Sequence, residues 1–124
     1  MSSTCSCVDV YFDYLCDAIA REVRTARKKH VCNECGGQIE PKQQYEHFRG
    51  VDEDRTPFTQ RTCSVCLELR NVFFRGGWFF GEVRERLYEH ILEIDGEVES
   101  NCILRLSREA RNVVFDMIER TWEK

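Results

Sequence analysis

Apolar positions recur along the chain at two different periods. Residues 13–29, DYLCDAIAREVRTARKK, place Leu15, Ile19, Val23 and Ala26 at helical spacing, with Arg21, Arg24 and Lys28 on another face, so the pattern predicts an N-terminal helix. Residues 38–49 read as a hairpin: an outgoing strand from Gln38 to Glu40, a turn at Pro41 and Lys42, and a return through Tyr45 and Phe48. VDEDRTPFTQ, residues 51–60, is a charged loop in which Pro57 disfavours helix. Helical periodicity returns at TCSVCLELR and runs through Leu69, Val72 and Phe73, with Gly76 and Gly77 as its stop.

Two further helices follow from the same period. One spans residues 82–94 with Val83, Leu87, Ile91 and Ile94 inward, and ends at Asp95-Gly96, where glycine permits a left-handed residue. The other is capped by Ser107 and carries a stripe of Ala110, Val113, Val114, Met117, Ile118 and Trp122. At 124 residues this is one α+β domain, 1–124, with an N-terminal helix and a core over 13–75 and an extension of two or three helices over 78–124. No apolar run approaches the ~20 residues of a membrane span, and the N-terminus lacks the basic start and apolar stretch of a signal peptide. The expectation is a soluble, cytoplasmic protein.

Eight cysteines change the picture. Cys32 and Cys35 form one Cys-x-x-Cys pair, Cys63 and Cys66 a second, with 27 residues between the pairs. In a reducing compartment such spacing points to metal and not to disulfides. Zinc takes four thiolates tetrahedrally, and two intervening residues let one tight turn aim both sulfurs at one ion. Gly36 and Gly37 permit the positive φ of such a knuckle, and a helix beginning at the second pair offers its free amides to thiolate. Knuckle, hairpin, loop and ligand-bearing helix is the order of a treble-clef zinc finger, and structural zinc supplies on the order of 10–16 kcal/mol in small fingers. A four-sulfur shell leaves no open coordination position, so the zinc is structural. Cys5, Cys7, Cys16 and Cys102 are the candidates for a second zinc, with His30 or His90 as substitutes; the bland alternative for Cys16 and Cys102 is a buried thiol acting as a small hydrophobe.

Charge is unevenly spread. Residues 1–50 carry seven Lys/Arg and seven Asp/Glu, whereas residues 51–124 carry 11 and 15. Arg21, Arg24, Arg27, Lys28 and Lys29 form a basic edge beside the first knuckle that could contact phosphates or simply neutralise the thiolates. Glu82, Glu85, Glu89 and Glu93 fall within one ~80° sector of a helix and make an acidic ridge suited to a basic protein surface. Glu46-His47 and Asn71 are the residues against which an HNH-type nuclease must be weighed. No phosphate loop, nucleophile elbow or HExxH is present, so no catalytic residue is assigned and an enzyme with a small-molecule substrate is not expected.

The runs ARKKHVCNECGGQI, TCSVCLELR, GGWFFGEV and LEIDGEV, with CSC near the start, NCILRLS and the closing IERTWEK, resemble a family of small bacteriophage and prophage proteins. That resemblance implies a zinc-binding phage product and assigns it no activity. Three functional expectations follow. The leading one is a non-enzymatic protein that binds a host macromolecule, above all a protein, in takeover or in counter-defence such as inhibition of a CRISPR or restriction system. The second is a nucleic-acid-binding accessory module using the basic edge, and the third an HNH-like nuclease.

Overall fold

The computed structural model describes residues 17–74, 78 and 80–123, and for residues 17–19 the backbone. Five strands precede four helices: β1 (Asp17–Thr25), β2 (His30–Val31), β3 (Gln38–Ile39), β4 (Gln44–Val51), β5 (Pro57–Cys63), α1 (Ser64–Phe73), α2 (Val83–Glu93), α3 (Ser100–Leu104) and α4 (Arg108–Trp122). The architecture is α+β, with an antiparallel three-stranded sheet in the order β1-β4-β5 and a separate two-stranded ladder β2-β3. The described residues fall into two compact units, 17–67 and 68–123.

The expected N-terminal helix is a strand. Over residues 17–25, Ile19, Val23 and Thr25 alternate with Ala18, Ala20, Glu22 and Arg24, and β-branched side chains fit a pleated surface better than a helix turn. Pairing along β4 settles the choice, running from Asp17 opposite Val51 to Thr25 opposite Gln44, with a bulge between Ala18 and Ala20. Helical spacing of Val23 and Ala26 was coincidental: Val23 is 56% exposed. The change of element also re-sorts the basic residues. Arg21 and Arg24 sit three apart in sequence, which would stack them on a helix but sends them to opposite faces of a strand. Residues 13–16, the rest of that expected helix, lie outside the described residues.

The expected hairpin over 38–49 also differs. Its turn is where the sequence placed it: Gln43 N–H donates to the Glu40 carbonyl at 3.1 Å, and Lys42 has φ 77° after a proline, the arrangement of a type II turn. Its two arms, however, enter different sheets. β3 pairs with β2, His30 opposite Ile39, while β4 pairs with β1 and with β5, Tyr45 opposite Cys63 and His47 opposite Arg61. The charged loop shrinks to residues 52–56, closed by the Asp52 carboxylate, which accepts from the amides of Asp54 and Thr56 at 2.9 Å each.

In the second unit the helical period holds for most positions, with Ile94 and Val113 only half-buried. Val83, Leu87 and Ile91 are buried along α2, and Ala110, Val114, Met117 and Ile118 along α4. Ser107 caps α4 through Ala110 N–H and gives its own amide and hydroxyl to Glu68 at 2.6 and 2.7 Å. Trp122 departs from the stripe: it is 68% exposed and its indole N–H reaches the Asp95 carbonyl at 3.3 Å. The stop at Gly76-Gly77 lies outside the described residues; Arg70 stacks over Trp78 at 4.0 Å.

Gly96 is held to glycine twice over, by φ 77° and by space, since a Cβ there would lie 3.0 Å from Trp122 Nε1 and 3.2 Å from Ile118 Cγ2. Gly96→Ala is expected to lower stability by about 1–3 kcal/mol, measured by urea denaturation, with Trp122→Ala in the same background recovering part of the loss.

Candidate metal centre and basic cleft

The unit over residues 17–67 has a small core, and cysteines are a large part of one cluster in it. Ala26, Cys32, Ile39, Tyr45 and Cys66 form one buried cluster, with Cys63 packed against it. The four sulfurs of Cys32, Cys35, Cys63 and Cys66 all lie within 4.8 Å of one another. Cys35 and Cys63 approach to 4.0 Å, about twice a disulfide bond, and all four are free. This is a donor set compatible with a metal ion.

Each ligand is placed by backbone. The first pair sits on a tight turn between β2 and β3, where Gly36 N–H donates to the Cys32 carbonyl at 2.9 Å and Cys32 N–H to the Gly37 carbonyl at 2.8 Å. Gly36 supplies φ 75°, and a Cβ on Gly37 would press to 3.3 Å from Cys35 Sγ. Cys63 closes β5 and Cys66 lies in the first turn of α1. Amides point at sulfur throughout: Glu34 and Cys63 N–H reach Cys32 Sγ at 3.3 Å, Gly37 N–H reaches Cys35 Sγ at 3.4 Å, and Cys66 N–H reaches Cys63 Sγ at 3.5 Å. Such donors favour thiolate over thiol.

Crowding shows in the acidities. Hydrogen bonds from the Cys63 and Cys66 thiols, aided by backbone amides, hold the Cys32 thiol far below its ordinary value. The same pairing pushes Cys63 up to about 11. One thiolate is cheap here and a second is not, unless a cation joins them. The candidate second site is not assembled among the described residues. Cys102 is disulfide-bonded, which removes its sulfur as a thiolate ligand, and Cys5, Cys7 and Cys16 lie outside the described residues.

Beside this centre lies a cleft of about 870 Å³ lined by Arg24, Thr25, Ala26, Arg27, Lys28, His30, Tyr45, His47 and Arg61. Strand register assembles it: Arg24 opposite Tyr45 opposite Cys63, and Glu22 opposite His47 opposite Arg61, put these side chains on one face of the sheet. Asn33, inside the first knuckle, clamps β5 by giving its amide to the Arg61 carbonyl at 2.8 Å and taking the Arg61 amide on Oδ1 at 2.7 Å. The turn that carries Cys32 and Cys35 thereby fixes the backbone of Arg61.

Of the five expected nucleic-acid-binding residues, Arg24, Arg27 and Lys28 line the cleft. Arg21 goes to the opposite face and pairs with Glu46 at 2.9 Å, and Lys29 is exposed outside the lining. Sequence reasoning missed Arg61, Tyr45 and His30 as cleft residues; His47 and Arg61 share an alternating strand pattern with their neighbours, but only the register brings them together. Of the acidic set, Glu85, Glu89 and Glu93 are exposed on α2, whereas Glu82 stands just before its first residue, makes no side-chain cap, and pairs with Arg86 at 2.8 Å. Asn71 is exposed on α1.

Both imidazoles in the cleft are held neutral. Burial pushes His47 below its ordinary value, and the charges of Arg24 and Arg61 push the same way. His30 is lowered by burial and by Arg61 and Lys28. No protein family, curated protein or solved structure matches the chain.

Two outcomes are expected. The purified protein holds about one transition-metal ion per chain, and Cys32→Ser or Cys66→Ser lowers that content several-fold, read by elemental analysis. For His47, the unfolded chain takes up a proton near pH 6.5 and the folded chain only at lower pH, so stability falls as pH drops through about 6.5 and levels off below the folded value. His47→Gln flattens that part of the stability–pH curve; acid sensitivity of the sulfur centre is common to both proteins and cancels in the difference.

Proposed function

We propose that this chain is a zinc-nucleated, non-enzymatic binding module that grips nucleic acid through the cleft beside its metal centre. Zinc fits the four-sulfur set best. A regular tetrahedron with ~2.3 Å Zn–S bonds has sulfurs about 3.8 Å apart, close to the 4.0 Å between Cys35 and Cys63. A complete thiolate shell makes that ion structural. The succession of a two-strand knuckle, a β4-β5 hairpin and a helix carrying Cys66 supports a treble-clef arrangement.

The observation that carries the binding assignment is the composition of the cleft. Four cationic side chains, Arg24, Arg27, Lys28 and Arg61, line it together with two imidazoles, and no carboxylate is among its lining residues. Charge is segregated accordingly: residues 17–67 hold nine Lys/Arg and eight Asp/Glu, residues 68–123 eight and twelve. A chain that is acidic as a whole thus keeps a local surface able to contact phosphates. The resemblance to phage and prophage proteins supports a place of action in the host bacterial cytoplasm.

Binding of a short labelled single strand is expected to weaken steeply with salt, with a log–log slope of roughly −2 to −3 for four contacts at ~0.7 each. Arg24→Ala and Arg61→Ala each flatten that slope by about 0.7, while Lys29→Ala, outside the cleft, changes neither slope nor affinity. Affinity that does not respond to salt, or that Lys29→Ala reduces as much as Arg24→Ala, sinks the assignment.

A second reading has its own observation. Glu85, Glu89 and Glu93 are exposed on α2 while Val83, Leu87 and Ile91 on the same helix are buried, so the acidic face is presented to a basic host protein in takeover or counter-defence. Replacing all three by Lys then abolishes capture of that protein and leaves nucleic-acid affinity intact.

A further inference from the structure

We propose that the cleft takes the end of a nucleic-acid strand, seating a terminal phosphomonoester at Arg61 and His47 with the last nucleotide inside the cavity; this rests on the nucleic-acid reading above. Continuous backbone needs only exposed cations on a surface. This site has more than that. Its volume of about 870 Å³ falls in the range of pockets that enclose small ligands, and its floor is built from buried Ala26, Tyr45 and His47 under a rim of exposed Arg24, Arg27 and Lys28. A strand running across the rim leaves that floor unused, whereas a strand end reaches it.

Positive charge collects around His47. Arg61 stands opposite it across β4 and β5, and Arg24, also in the lining, acts on the same ring against a weaker opposing charge from Glu22. A diester brings one negative charge to such a point. A terminal monoester brings about 1.5 to 2 near neutral pH, with three acceptor oxygens. Arg61 Nε is buried with no hydrogen-bond partner among the described residues, which leaves a donor for a phosphate oxygen at a cost otherwise unrepaid. The neutral His47 ring supplies a donor without needing to be charged first. His30, half-buried with its ring centroid 5.1 Å from that of Tyr45, offers an aromatic surface for the terminal base. Glu22 is the one carboxylate facing this group from β1, and it is engaged by Arg24 in an exposed pair; such pairs are weak enough to rearrange when an anion enters.

The test compares one oligonucleotide sequence ended by 5′-phosphate, by 3′-phosphate or by hydroxyl at both ends, competing against a labelled strand on the full-length, metal-loaded protein. One phosphorylated end is expected to bind about tenfold tighter than the hydroxyl-ended strand, and esterifying that phosphate with a bulky alkyl group removes the advantage. His47→Gln and Arg61→Ala bring the ratio toward one, with metal content checked to show that the fold persists. Equal affinity for all three strands overturns end recognition and leaves the nucleic-acid reading standing. If no strand binds, both fall. A nucleoside monophosphate or inorganic phosphate competing as well as the phosphorylated strand overturns the strand-end assignment in favour of a free phosphomonoester.

Discussion

Four sulfurs held within 4.8 Å are the constraint on which the unit over residues 17–67 depends. As thiols they pack as small hydrophobes; as thiolates they repel, and only a shared cation reverses that sign. The arrangement of donors around the sulfurs is compatible with the second state. Backbone amides aim at three of the four sulfurs, and Cys32 and Cys66 are themselves core residues beside Ala26, Ile39 and Tyr45. A core of this size buries too little apolar surface to order two small sheets unaided. An ion shared by Cys32 and Cys63 would close a long loop that chain entropy otherwise keeps open.

The geometry of the cleft depends on the same cysteine-bearing turn. Asn33 belongs to the metal turn and grips the backbone of Arg61; Tyr45 belongs to the core and floors the cleft. Cations that would drift apart on a solvated surface are therefore kept facing one cavity by hydrogen bonds and packing a few residues away. Preorganised charge of this kind costs little when a ligand arrives, because its rearrangement has already been prevented.

The sequence made some of this legible and hid the rest for physical reasons. Both cysteine pairs stood out because two-residue spacing has few other uses. α2 and α4 were readable because each buries one stripe, and the turn at Pro41-Lys42 because proline presets its first central residue. β1 was misread because Val23 and Ala26 also fit a helical period, and a lone edge strand with exposed side chains leaves no inward face to betray it. The partners of β3 and β4 were hidden too: a turn signal says where the chain reverses, not which neighbour each arm then meets. His47 and Arg61 met only through register, fourteen residues apart in sequence, and no local pattern carries that.

Aromatic residues divide between the two units in a way that matters for anyone watching the protein in solution. Its two tryptophans, Trp78 and Trp122, both lie in residues 68–123, and the unit that holds the sulfurs and the cleft has none. Intrinsic indole emission thus reports on the helical half through two unlike probes, one stacked under Arg70 and one lying on Gly96. The other half carries tyrosine but no tryptophan, so a tryptophan introduced in the loop over residues 52–56, at the far end of the β4-β5 hairpin from Cys63, would give it a signal of its own.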